Sequence, residues 1–302
     1  MTTQTVSPSR FKLWMAAIKP PMYSVAVIPI SVGTAIAFWQ QQQFDATIYT
    51  TFLGAAIAII AWLNLSNDFF DSQTGIDRNK PHSVVNLTNN PPLVFWVSNL
   101  CLALGFLGIG AIAWWQKDPT IVEIVALCCA LGYSYQGPPF RFGYQGLGEF
   151  ICFFTFGPLA VLAAYYSQVQ SFSMVALWAS VIIGISTSLI LFCSHFHQVE
   201  DDLAAGKRSP IVRLGTKLGS QVLVPFVGSI FVLTGLLAIA GIFPLASLVI
   251  LASFPFGYQL IRHVVENHDR PQKVSNCKFI AVNLHFLSGV LLALGFVIPA
   301  YL

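Results

Sequence analysis

Residues 50–80 read TTFLGAAIAIIAWLNLSNDFFDSQTGIDRNK. The run 50–63 suits the middle of a lipid bilayer, yet it passes directly into Asn64, Asn67, Asp68 and Asp71 and then into Asp77, Arg78 and Lys80. Each helical residue turns about 100°, so the first four fall within roughly a third of the circumference and form one polar stripe over the last turns. Two carboxylates a turn apart repel each other. Each also faces the negative end of the helix dipole, at a cost of ~0.3–1 kcal/mol. A cation relieves both penalties. Hard divalent cations take carboxylate and amide oxygens, and Mg²⁺ usually joins one or two carboxylates to substrate phosphates. Arg78 and Lys80, just past the turn at Gly75, then suit the outer phosphate oxygens. Asp77 either orients Arg78 or adds a ligand. Polar residues at membrane depth are costly, which favours a functional site over a solvated helix end.

Composition extends the membrane reading to the whole chain. Of 302 residues, 56% are hydrophobic and 9% charged, with mean hydropathy +0.71. Soluble domains carry about 25% charged residues, so an ordinary soluble core is excluded. A span needs roughly 20 mostly apolar residues. Candidates lie near 22–39, 48–71, 93–114, 120–135, 147–166, 174–194, 221–240, 243–262 and 280–302, the fourth being short. The expectation is an all-α, multi-pass membrane protein with about nine helices around a central cavity. Net charge, +3, says little, but its placement says more. Of the 15 Lys and Arg residues, only Lys117 falls in an odd-numbered connection. The positive-inside rule therefore puts the N-terminus and the even-numbered connections in the cytoplasm and the C-terminus outside.

Phe11, Trp14, Met15 and Ile18 follow the i, i+3, i+4, i+7 spacing, with Lys12 and Lys19 off that stripe. Residues 1–21 are thus expected to form an amphipathic, interfacial segment, followed by one transmembrane domain over 22–302. The six cysteines have no CxxC spacing and read as apolar packing residues. Nothing points to nucleic acid or to an obligate protein partner.

The connections after spans 2, 4 and 6 hold the chemistry. Span 6 ends in LFCSHFHQVEDDLAAGKRSP, residues 191–210. Continued as a helix to Gly206, it places His195, Gln198 and Asp202 on one face and His197, Glu200 and Asp201 on another. This is a second candidate metal site, with Asp202 its best single ligand and Lys207 and Arg208 following, as Arg78 and Lys80 follow the first. His195 and His197 suit proton acceptance better than metal binding. After span 4, YSYQGPPFRFGYQGLGE holds Arg141 as its single cation, placed to grip an anion, while Glu149 suits the start of span 5.

Asn64-x-x-x-Asp68-x-x-Asp71, with a second acidic motif before AAGKRSP, resembles the UbiA superfamily of intramembrane prenyltransferases. LWMAAIKPPMYSVAVIPISVGTAIA, NDFFDSQTGIDRNK, GLGE and DDLAAGKRSPIVRLGT are similar to its 1,4-dihydroxy-2-naphthoate prenyltransferases. KPHSVVNLT and FCSHFHQVEDDLAAGKRSP resemble the phylloquinone branch of plants and cyanobacteria. The resemblance implies the UbiA-type fold and Mg²⁺, two ions bridging the acidic motifs to an allylic diphosphate. It also implies transfer of a phytyl group from its diphosphate to 1,4-dihydroxy-2-naphthoate, with decarboxylation, in a cytoplasmic or thylakoid membrane of a photosynthetic prokaryote. By that match Asn64, Asp68 and Asp71 carry over as ligands; with the residue reading, Asn64, Asp68, Asp71, Asp202 and Asp201 are the metal ligands expected, and Asp68, Asp71 and Asp202 the catalytic acids. Lys80, Arg141 and Lys207 would bind substrate by the same match, and Lys19 would meet the naphthoate carboxylate; from the reading of the residues themselves, Asn64, Asn67, Arg78, Gln198 and His195 join the expected substrate-binding set. Two positions depart from the pattern. Gly75 stands where a third Asp is frequent, and Gln198 where the second motif opens with Asp, leaving Asp201 or Glu200 as substitutes. The alternatives are another aromatic acceptor (homogentisate or chlorophyllide), a cation transporter, or a non-catalytic quinone-binding protein.

Overall fold

The structure, a computed structural model, describes residues 10–76, 80 and 82–301. Asp77 and Arg78, expected at the first basic loop, lie outside the described residues. Every regular element among the described residues is helical: α1 (Arg10–Ile18), α2 (Ser24–Gln41), α3 (Ala46–Thr74), α4 (Val84–Thr88), α5 (Pro91–Gln116), α6 (Thr120–Gln136), α7 (Gly148–Val169), α8 (Met174–Ser194), α9 (Val199–Ala204), α10 (Thr216–Ile239), α11 (Leu245–Asn267) and α12 (Cys277–Val297). Eight stretches among the described residues are long and apolar enough to cross a membrane; the remaining one, α6, is an apolar helix of 17 residues. The nine expected places are thus all helical, with the fourth short.

Local chemistry sets the ends. The Asp45 carboxylate accepts from the amides of Thr47 and Ile48 at 2.8 and 3.0 Å and opens α3. Gly75, at φ +79°, closes it. Asn90 and Ser173 cap α5 and α8 in the same way. Such side chains satisfy amides that the first helical turn leaves without partners.

Polarity runs opposite to that of a soluble protein. Trp96, Trp114 and Ile239 are 70, 82 and 82% exposed, while Ser186, Thr187, Ser188 and His285 are buried. Lipid leaves no hydrophobic drive between helices, so close contact and internal hydrogen bonds hold them together. The crossing of α7 and α8 is of this kind. A Cβ at Gly157 would lie 2.7 Å from the Gly184 Cα, so the two helices meet at a distance only glycine permits. That crossing carries the start of α7 alongside the end of α8, where Ser188 Oγ donates to the Glu149 carbonyl at 2.8 Å.

Alternation of direction brings the C-terminal ends of α3, α6 and α8 and the N-terminal end of α12 to one face. The chemistry gathers there. α1 lies across this end with Phe11, Met15 and Ile18 exposed and Ala17 buried against Val84, Val85 and Val94.

Candidate active site

A cavity of about 570 Å³ opens at this face. From α3 it receives Asn64, Asn67 and Asp71; from the connection after α8, His197, Gln198, Asp201, Asp202 and Lys207; from the chain between α3 and α4, Lys80 and His82. The two acidic stretches, more than a hundred residues apart in sequence, therefore line one compartment. Glu200 is exposed and does not line it, whereas Asp201 does. Of the two substitutes for the acid missing at Gln198, the fold brings Asp201 to the cavity.

On α3 the polar stripe forms as the helical period requires, but its members differ. Asp71 accepts from Asn67 Nδ2 at 2.6 Å and from the Tyr144 hydroxyl at 3.0 Å. Burial and the neighbouring Asp71 charge push the Tyr144 phenol up, so it stays protonated and donates. Asp68 is almost fully buried and set back from the cavity. Its Oδ1 faces Lys19 Nζ at 3.3 Å and Lys80 Nζ at 4.0 Å, and its Oδ2 accepts from the Val84 amide at 2.8 Å. Lys19 thus reaches the site from the turn between α1 and α2, paired with Asp68. Asn64 Nδ2 is buried without a hydrogen-bond partner. It stands at a junction, for Asn64 also lines a second, apolar cavity of about 300 Å³ with Trp14, Ala61, Leu65, Val84 and Val94.

The second acidic stretch is built differently from the continuous helix expected. α8 ends at Ser194, a 3-10 turn covers His195–His197, and α9 restarts after Gln198 at φ −110°. The helical faces drawn across this break do not exist. His195 and Asp202 nevertheless meet, because the break folds α9 back toward the end of α8. His195 Nδ1 stands 3.1 Å from Asp202 Oδ2, and Lys207 Nζ 3.5 Å from Asp202 Oδ1. Burial alone would raise the Asp202 carboxyl, but the hydrogen bond to His195 and the Lys207 charge outweigh it and hold it below its ordinary value. His195 is buried behind Asp202 and does not line the cavity, whereas His197 does. Arg141 does not line it either. Its backbone is left-handed at φ +45° and its Nε is buried without a hydrogen-bond partner.

Several lining residues escape sequence reasoning. Lys278 opens α12 near Lys80 and Lys19, and Tyr135, Gln136 and His82 complete the wall. Burial and the charges of Lys80, Lys278 and Lys19 push the His82 imidazole down, keeping it neutral. The signal for Lys278 was its position in the first turn after a basic connection. Nothing in the sequence links that turn to residues 64–80.

The lining suits a hard cation. Asp71, Asp201 and Asp202 offer carboxylate oxygens, and Asn64, Asn67 and Gln198 offer amide oxygens, around a space framed by lysines. Among the described residues no group of three or more His, Cys, Asp or Glu stands close enough to hold a metal ion by itself. Mg²⁺, which keeps waters and shares its shell with phosphate oxygens, needs no such group.

The family described as UbiA prenyltransferase matches residues 26–297. The chain is 60% identical over 292 residues to 2-carboxy-1,4-naphthoquinone phytyltransferase of Synechocystis sp., covering 97% of this chain and 95% of that protein. It is 42% identical over 300 residues to the chloroplastic 2-carboxy-1,4-naphthoquinone phytyltransferase of Arabidopsis thaliana, covering 96% and 78%. A solved UbiA homolog from Archaeoglobus fulgidus bound to GPP and Mg²⁺ shares the fold, with a TM-score of 0.63 at 14% identity, covering 93% of this chain and 99% of that one.

Proposed function

This chain belongs to the UbiA prenyltransferase family and is an enzyme of that class, and from that premise we propose the reaction it carries out. It transfers a phytyl group from phytyl diphosphate to 1,4-dihydroxy-2-naphthoate, with loss of the carboxyl group, giving a demethyl-phylloquinol precursor of phylloquinone. The observation that carries this reading is the meeting of Asp71 and Asp202, from two distant acidic motifs, in one cavity framed by Lys80, Lys207 and Lys278. A cation path through the membrane does not explain why the acids and lysines crowd one face.

Asn64, Asp68, Asp71, Asp201 and Asp202 would hold Mg²⁺, two ions in the fullest arrangement. When bound, Mg²⁺ neutralises the diphosphate and stabilises it as a leaving group. Lys80, Lys207 and Lys278 supply further positive charge where the C–O bond breaks and the electron pair passes to diphosphate. For Asp68 to join the ligands, it must give up Lys19 and Lys80, which frees both cations for substrate anions. The phytyl chain takes the apolar cavity beyond Asn64, which keeps water from the allylic cation. An electron-rich ring carbon attacks that cation. Departure of CO₂ from the alkylated carbon restores aromaticity, so no base need remove a ring proton. The positive-inside rule puts this face in the cytoplasm, with α1 resting in the interface.

The relatives' names give the acceptor at the quinone level, two electrons above the naphthoate. A quinone ring lacks the electron density for this attack, so the hydroquinone is the nucleophile here. The test supplies purified protein, Mg²⁺ and phytyl diphosphate with 1,4-dihydroxy-2-naphthoate, its quinone, homogentisate or chlorophyllide, and reads product mass. Phytylated, decarboxylated product from the hydroquinone is expected. Product from homogentisate or chlorophyllide alone overturns the acceptor, and unaided turnover of the quinone overturns the mechanism.

A further inference from the structure

Behind Asp202 lies a buried chain of polar groups that the reaction as described does not use. Asp202 is 1% exposed and touches His195 through Oδ2 at 3.1 Å. His195, itself 2% exposed, turns its other ring nitrogen away from the cavity, and that Nε2 stands 3.5 Å from Glu149 Oε1. Both carboxyl oxygens of Glu149 are buried, and neither has a hydrogen-bond partner in the structure. Glu149 opens α7, where an acid serves the helix dipole from an exposed position as well as from a buried one. Dipole compensation therefore gives no reason to bury it. The fold nevertheless holds it in place, since Ser188 on α8 binds its carbonyl and the Gly157–Gly184 crossing locks the two helices together.

We propose that Glu149 and His195 are positioning residues for Asp202: Glu149 fixes the proton arrangement of His195, and His195 fixes the carboxylate that faces the cavity. The inference rests on the metal-diphosphate reading of the site. A histidine ring has two distinct nitrogens, and the partner of one decides what the other presents. With Glu149 at Nε2, Nδ1 keeps its hydrogen and donates to Asp202 Oδ2. This holds whether the neighbouring proton sits on the glutamic acid or on Nε2, because the total charge of the three groups is the same. Oδ1 is then the oxygen left to Lys207 and to the cavity. A floppy carboxylate would be a poor ligand here, because α9 is short and enters through a break in the helix. With Gln198 in place of an acid, fewer charges remain to tolerate a misplaced one. Outer partners of this kind change metal affinity by roughly 10–100-fold when removed.

The test measures Mn²⁺ bound by the full-length protein in detergent, by electron paramagnetic resonance, with phytyl diphosphate present and no acceptor, so nothing turns over. Glu149→Leu is expected to weaken Mn²⁺ binding by at least about tenfold, and Glu149→Gln, whose amide donates to Nε2, to stay within about threefold of wild type. In a His195→Asn background the asparagine amide donates to Asp202 by itself. There Glu149→Leu should have no further effect, and an equal loss in both backgrounds overturns the proposal. A second arm needs no change at Glu149. His195→Asn places its amide where Nδ1 was, and His195→Gln places it near Nε2, so the first should retain Mn²⁺ and the second should lose it. Equal retention by both overturns the proposal even if the leucine variant does not fold. Failure of the wild type to bind Mn²⁺ with phytyl diphosphate would instead sink the functional reading beneath it.

Discussion

Asp71 carries the cavity's clearest chemistry at the level of single residues. Its carboxylate faces the open space and is aimed by Asn67 and Tyr144. Asp71→Asn keeps the shape, since the amide oxygen still accepts from Tyr144, but removes the charge. Transfer should fall by roughly 10²-fold or more, measured as kcat/KM, while the purified protein stays monodisperse. Asp202 gives a pH prediction. Its carboxyl is held below its ordinary value by His195 and Lys207 against the upward push of burial. The folded-state pKa therefore lies below the unfolded one. The stabilisation that follows is present above the unfolded pKa and is lost as pH falls through the lowered value. Lys207→Met removes one of the downward causes. The acid limb of the kcat/KM profile should move to higher pH, and an unmoved limb would detach Lys207 from Asp202.

Elements decide where these side chains end up. The sequence pattern of α3 is legible because one uninterrupted helix carries it from bilayer to cavity, and the period alone groups Asn64, Asn67 and Asp71. The same reasoning misplaces residues 195–202. A 3-10 turn resets the helical phase, so Gln198 and Asp202 reach the cavity while His195 turns inward. The apolar cavity between α1, α3, α4 and α5 is likewise a product of packing. Ala61→Phe projects a ring into it. The KM for phytyl diphosphate should rise several-fold more than the KM for a ten-carbon prenyl diphosphate, and equal rises would move the chain elsewhere. Gly146 joins the loop before α7 to the second basic connection. It has φ +79°, and a Cβ there would press on the Arg208 carbonyl, whose own amide donates to the Tyr144 carbonyl at 2.8 Å. Gly146→Ala should cost about 1–3 kcal/mol, seen as a lower unfolding temperature in detergent.

For the whole molecule, the eight long apolar stretches together with α6 would, if all of them cross, place the two ends of the chain on opposite sides of the membrane. A fluorescent-protein fusion at the N-terminus should glow in the cytoplasm, and a phosphatase fusion at the C-terminus should be active outside. An inactive phosphatase at the C-terminus together with cytoplasmic fluorescence at the N-terminus would mean an even number of crossings. From the sequence alone came the membrane class, the nine helical places, the one-sided distribution of charge, the family, and the stripe on α3. All of these depend on local composition or on the period of a single helix, which the chain carries without reference to its neighbours. Tertiary structure alone decided which acid faces the cavity beside Gln198, that Asp68 is held back by Lys19 and Lys80, that Lys278 joins them, and that Glu149 stands behind His195. Those relations depend on how close helices approach and where one of them breaks, and both are set by packing between segments far apart in the chain.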